Sequence, residues 1–192
     1  MKKLEINNAH YSHLLEAFTR HLQTLNYSKD TVYNDTNMMK EYIHFLIENA
    51  VDLKTTESET IKNYLDYLQK RSNQRRGGGL SIAYLKKHIS ALKRFYNYLR
   101  LSDYYSITLA FPSLPRAKTR PKVLSIKEVQ QLFKACGDDL HGKRNKAILA
   151  IYYGCGLRRK EGAMLNVEDI NLERSEIFVS KSKTHTQRRV PM

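Results

Sequence analysis

Between residues 8 and 26 the apolar positions are Tyr11, Leu14, Leu15, Phe18, Leu22 and Leu25. That 3.6-residue spacing predicts an amphipathic helix, with Asn8 as its N-cap. Ser28 or Asp30 opens a second helix, which turns Val32, Met39, Tyr42, Ile43, Leu46 and Ile47 to one side and breaks at Asn49–Asp52. Thr56 followed by Glu59 predicts a capping box for a third helix, with the stripe Ile61, Tyr64, Leu65 and Leu68. It stops at the arginines before Gly77, Gly78 and Gly79. Ser81 opens a fourth, with Ile82, Leu85, Ile89, Leu92, Tyr96 and Leu99 on its apolar face.

Four short amphipathic helices with brief connections can bury those faces only against each other, so residues 1–108 are expected to form a helical bundle. Pro112, Pro115 and Pro121 then interrupt any helix, and Arg116, Lys118, Arg120 and Lys122 alternate with small residues and prolines. Residues 109–123 therefore predict an extended basic linker. A second domain is expected over residues 124–192. Ser125 and Glu128 form a capping box for a helix carrying Val129, Leu132 and Phe133, and residues 143–153 predict a further helix that ends at Gly154 and Gly156. Arg158 follows, where the chain turns into the next helix; Gly162, inside that helix, should weaken it. The pattern then shifts to strand alternation at Glu176–Val179, a lysine-bearing turn, and a second short strand at Arg188–Pro191. The expected class is mainly α, with a small antiparallel β-hairpin or sheet.

Charge changes the picture. The chain carries 33 Lys+Arg against 19 Asp+Glu, a net of +14. The excess is denser after residue 110, with 17 basic against 8 acidic residues, than before it, with 16 against 11. A polyanion partner accounts best for this balance, with plain solubility or an acidic membrane surface as the alternatives. The fourth helix sharpens the point: Lys86, Lys87, Lys93, Arg94 and Arg100 share its polar side, with no acidic residue before Asp103. Surface helices usually mix signs, so a one-sign face suits phosphates, although a merely solvated basic face has the same pattern. Arg75 and Arg76 beside the glycines, and Arg116, Lys118 and Arg120 in the linker, are further candidate DNA contacts.

Cys136 and Cys155 form no C-x-x-C pair, which fits a reduced, cytoplasmic chain. No apolar run approaches the ~18 residues of a membrane span. His10, His13 and Glu16 share helical spacing, but nothing nearby completes a zinc site. No phosphate-loop or dinucleotide motif occurs, so no cofactor or metal is expected.

The stretch Tyr153–Met192 carries a resemblance. Tyr153, Gly154, Cys155, Gly156, Leu157, Arg158, Glu161, Leu165, Asp169, Ile170, Asn171, Lys183, Arg188, Val190 and Pro191 match, at matched spacing, the first half of the catalytic domain of the tyrosine recombinases, the phage integrase family. Lys93–Leu99 looks, more loosely, like the end of that family's four-helix SAM-like core-binding domain. The resemblance implies a DNA-binding bundle followed by a partial α+β catalytic domain, joined by a linker that crosses the DNA backbone, with the second and fourth helices in the major groove. It also implies double-stranded DNA as partner and tetramers on paired sites in full-length relatives.

The family's chemistry is attack by a tyrosine on the scissile phosphate, giving a 3′-phosphotyrosyl link without metal or nucleotide. By resemblance Arg158 is the first arginine that stabilises the phosphorane, Lys183 the hairpin general acid with Lys181 as runner-up, and Glu161 a structural support. An ordinary surface salt bridge is the competing reading of Arg158. The family's second arginine, in an H-x-x-R motif, and its nucleophilic tyrosine are expected about 80 or more residues beyond the hairpin. The chain is thus expected to be a recombinase fragment that does not cut DNA by itself, or else a non-catalytic DNA-binding remnant that occupies sites or inhibits an intact relative. A helical interaction module indifferent to DNA is the remaining option, and its binding would ignore salt.

Overall fold

The structure, a computed structural model, describes residues 6–73, 77–104, 108–115, 122–180 and 187–192. The chain divides into two compact units, Met1–Thr119 and Arg120–Met192.

The first unit is helical: α1 (Ala9–Thr24), α2 (Lys29–Glu48), α3 (Ser58–Lys70) and α4 (Ile82–Leu101), with a 3₁₀ turn at Leu53–Thr55. Three caps form where a short polar residue precedes the apolar stripe. The side chains of Asn8, Ser28 and Ser81 accept the backbone N–H groups of Tyr11, Thr31 and Tyr84. The third helix departs from expectation. Its N-cap is Glu57, whose backbone N–H is held by the Thr60 hydroxyl, while Thr56 closes the preceding 3₁₀ turn. Thr56 is buried, and its hydroxyl donates to the Asp52 carbonyl at 3.4 Å within that turn, so it does not cap the helix.

Phe18, Met39, Tyr42, Ile43, Leu46, Ile61, Tyr64, Leu68, Leu92, Phe95 and Leu99 are sealed in one core. Phe18 of α1 meets Phe95 of α4 edge to face at 5.1 Å, worth about 0.5–1.5 kcal/mol beyond the area it buries. The buried arc of α4 is wider than one stripe, since His88, Ala91, Phe95 and Tyr98 are also covered. Ile47, expected inside, is exposed, whereas Asp35 and Glu41 on the same helix are buried. Each of these carboxylates is matched by an arginine. Asp35 holds Arg94, and Glu41 lies 2.9 Å from Arg71. The start of the stretch expected to be linker lies against this unit. Leu109, Phe111 and Leu114 pack on its core, and the Ala110 N–H donates to Ser58 Oγ at 2.9 Å.

The second unit contains α5 (Ile126–Ala135), α6 (Leu140–Leu149) and the four-residue α7 (Arg159–Gly162). The Ser125–Glu128 capping box starts α5, and Asp139 caps α6 by accepting the Gly142 N–H. The helix expected over residues 143–153 thus begins at Leu140 and ends differently: Ala150–Gly154 opens into a π turn, closed by the Cys155 N–H on the Ala150 carbonyl. Strands β1 (Ile170–Asn171), β2 (Glu176–Val179) and β3 (Arg188–Pro191) form an antiparallel sheet in the order β1-β2-β3. β2 alternates as strand physics requires, with Ile177 and Val179 buried and Phe178 outward. Those two residues and Leu157 form a small core, on which Ile151, Cys155, Leu165 and Val190 pack. The chain is therefore mainly helical, with a small antiparallel sheet of three strands.

Candidate active site and nucleic-acid interface

Gly156 takes a φ of +64°, a left-handed turn that a residue with a Cβ rarely adopts. The turn lets Leu157 drop into the small core while Arg158, next in line, faces outward. Arg158 is the N-cap of α7, and three residues on Glu161 reaches back to it. The carboxylate accepts the Arg158 backbone N–H at 2.9 Å and its guanidinium Nη1 at 2.9 Å. The two partners differ sharply in exposure, at 59% for the Arg158 side chain and 2% for that of Glu161. A buried anion thus anchors an exposed cation.

A second arginine completes the cluster. Arg188 on β3 lays its fork across the same carboxylate, with Nη1 on Oε1 at 3.0 Å and Nη2 on Oε2 at 2.8 Å. Val179 of β2 pairs with Arg188 in the sheet, so the register fixes where that fork starts. Glu161 therefore receives four charge-assisted hydrogen bonds. They hold its pKa well below the usual carboxylate range, the Arg188 fork first and the Arg158 N–H next, while the pairing raises the pKa of Arg188. An exposed guanidinium at a helix start, fixed from behind, can fork onto the oxygens of an incoming phosphate.

Sequence reasoning found Arg158 and Glu161, three residues apart, but gave Arg188 no role beyond its motif. The H-x-x-R spacing also occurs within the chain, at His141–Arg144 and His185–Arg188. Arg144 donates to Asn145 and Arg188 to Glu161. Lys183, with Lys181 and His185, lies outside the described residues, as do Arg75, Arg76, Arg116, Lys118 and Arg120.

On α4, Lys87 and Lys93 are exposed and Lys86 is half-buried. Lys93 also sits over the Phe111 ring, 5.6 Å from its centroid. Arg94 differs from them: its Nε and Nη2 reach the two oxygens of Asp35 at 2.6 and 3.0 Å. Its fork is occupied within the protein. No described helix is long and apolar enough to cross a membrane.

Residues 14–105 match the family model for the phage integrase N-terminal SAM-like domain, and residues 122–192 that for the phage integrase family. The tyrosine recombinase XerA of Pyrococcus horikoshii is 32% identical over 181 residues, which cover 94% of this chain and 56% of the relative. XerC of Bacillus licheniformis is 30% identical over 189 residues, covering 95% and 59%. A tyrosine recombinase of Pseudothermotoga lettingae is 29% identical over 185 residues, covering 93% and 61%. The chain thus spans little more than half the length of the curated relatives it matches. Among solved structures, the Tn1549 transposon integrase in complex with a circular intermediate DNA has a TM-score of 0.65 at 18% identity, over 93% of this chain and 60% of that one. The XerH site-specific recombinase bound to its difH substrate has a TM-score of 0.59 at 16% identity, over 92% and 62%. These two likenesses establish the fold. The two model matches, which between them leave only residues 1–13 and 106–121 uncovered, and the recombinase relatives at 30% and 32% identity place the chain in the phage integrase family of tyrosine recombinases.

Proposed function

We propose that this chain is the DNA-binding part and the first part of the catalytic domain of a site-specific recombinase, which cuts and rejoins duplex DNA through a 3′-phosphotyrosine. The observation that carries the reading is the Arg158 guanidinium, exposed at the start of α7 and tied to a buried carboxylate. A pentavalent phosphorane gains negative charge, and a fixed guanidinium stabilises it more than it stabilises the ground-state diester. Lys183 is the general acid for the leaving oxygen. Lys86, Lys87 and Lys93 on α4, with Arg75, Arg76, Arg116, Lys118 and Arg120, take backbone phosphates. Residues 1–108 form the core-binding domain, 109–123 the connection and 124–192 the catalytic portion. Complete recombinases of this type act as tetramers on paired sites.

Two measurements test this. Duplex binding followed by fluorescence anisotropy should weaken steeply with salt, by about −0.9 in log–log slope per phosphate contact. A slope near zero would sink the DNA reading. By itself the chain should bind without cutting, because Arg158 and Lys183 supply charge and a proton but no nucleophile. A detergent-resistant protein–DNA adduct on a nicked duplex would refute that part.

A further inference from the structure

Glu161 is one carboxylate between two guanidinium groups. Each oxygen serves both arginines: Oε1 takes Nη1 of Arg158 and Nη1 of Arg188, and Oε2 takes the Arg158 backbone N–H and Nη2 of Arg188. A carboxylate facing one arginine prefers the two-pronged arrangement, which uses both oxygens and a whole edge of the guanidinium. Arg188 already occupies Glu161 in that way. Arg158 is left with a single side-chain prong, from Nη1, and 59% of its side chain exposed. The cluster therefore carries a net charge of one cation, on the side where Arg158 meets solvent.

We propose that Arg188 is a positioning residue: by engaging both oxygens of Glu161 it keeps that carboxylate from closing on Arg158, and so leaves the Arg158 charge free for a DNA phosphate. The proposal rests on the reading of Arg158 as a phosphate-binding group. Without the Arg188 fork, Oε2 of Glu161 keeps only the Arg158 backbone N–H and takes a second prong from the Arg158 guanidinium. The pair then becomes two-pronged and locally neutral, and a phosphate must compete with a buried anion for the same edge. Arg188 is well placed to prevent this, because β3 is held to β2 along its length, from Val179↔Arg188 to Glu176↔Pro191.

The test is nuclear magnetic resonance of the ¹⁵N-labelled guanidinium groups in the full 192-residue chain, free and with a mixed-sequence duplex of about 30 base pairs. In the wild type the duplex should shift the Arg158 Nε–H signal. In R188Q, with the remaining amide spectrum unchanged, that shift should fall about threefold, and R188K, which restores one charged donor, should recover about half of it. An R188Q shift equal to the wild type would overturn the proposal. So would equal losses in R188Q and R188K, the pattern of an Arg188 that binds phosphate directly through its fork. If R188Q unfolds the second unit, R188K decides alone: an intermediate shift supports the proposal, and a wild-type shift overturns it. No duplex-induced shift of Arg158 in the wild type would instead count against the phosphate-binding reading. The positioning role would then be judged without DNA, from exchange of the two Arg158 Nη groups. That exchange should slow in R188Q as the Glu161 fork closes, and an unchanged rate would overturn it.

Discussion

Asp35 on α2 and Arg94 on α4 form a two-pronged ion pair, at 2.6 and 3.0 Å, across 59 residues of sequence. The carboxylate is buried and the Arg94 side chain is 31% exposed, with its guanidinium 5.7 Å from the Tyr27 ring centroid. Removing the arginine leaves a buried carboxylate without its ion-pair partner, which costs ~3–5 kcal/mol when both partners are fully buried. The exposure of Arg94 lowers the expectation for R94Q to about 2–3 kcal/mol. K87Q and K93Q should change stability by less than about 0.5 kcal/mol, yet each should reduce the slope of log affinity against log salt by about 0.9. Urea titrations paired with salt titrations separate the two kinds of residue. An R94Q chain as stable as the wild type, with a reduced salt slope, would return Arg94 to the DNA surface.

The Tyr42 and Tyr96 hydroxyls meet at 2.7 Å inside the helical core, with Thr56 beside them. Burial pushes the Tyr42 phenol up to about 12 and raises that of Tyr96 as well. Either tyrosine changed to Phe leaves the other hydroxyl short of a partner, at about 1–2 kcal/mol. The double Phe variant removes both needs together, so it should cost no more than the larger single change. Additive losses in denaturant unfolding would mean that the two hydroxyls are satisfied independently.

What could be read in the sequence was mostly what is local. Asn8, Ser28, Ser81 and the Ser125–Glu128 box mark helix starts, because a cap and the N–H group it accepts lie within three residues. Arg158 and Glu161 were legible through the motif they share with the recombinase family, and their contact across three residues was not itself foreseen. Asp35 and Glu41 were not legible, since their partners Arg94 and Arg71 are 59 and 30 residues away and only packing brings them together. Arg188 was hidden in a motif for a related reason: it meets Glu161 across 27 residues, through strand register. β1, with two residues, is too short to show a period-two pattern. The arginines and lysines of the two basic stretches could be counted, but composition does not distinguish a free cation from one committed, like Arg94, to a buried carboxylate.

His88 on α4 has no exposed surface, and its Nδ1 lies 3.1 Å from the Tyr64 hydroxyl. Burial, helped by the nearby Arg71 charge, lowers its pKa from 6.5 to about 4. Below pH 6.5 the unfolded chain takes up a proton that the folded chain refuses, so stability falls with pH until about 4 and levels off below it. Between about pH 7.5 and pH 5 the loss should be about 2 kcal/mol. Glu41, packed nearby, acts in the opposite sense. Desolvation raises its pKa above 4.5 despite Arg71, so its protonation supports the fold as the medium acidifies. Denaturation of the α4 amide signals at the two pH values, in wild type and H88Q, isolates the histidine. The variant should lose most of the slope, and a slope unchanged in H88Q would assign it to another group.

Gly162 ends α7, where alanine would ordinarily gain up to ~1 kcal/mol over glycine. Here the Tyr152 ring lies against it: a Cβ at residue 162 would sit 2.7 Å from two ring carbons. The ring is held there by its hydroxyl, which donates to the Arg159 carbonyl at 2.9 Å. A methyl group would have to push the ring aside and break that bond, at about 1 kcal/mol, so the two effects should nearly cancel in G162A. In a Y152L background the obstruction and the hydrogen bond are both gone, and G162A should then stabilise the second unit by about 0.5–1 kcal/mol. Urea unfolding of the four chains measures the coupling directly. If G162A stabilised the wild type as much as it stabilised Y152L, the Tyr152 ring would not be what requires glycine at this position.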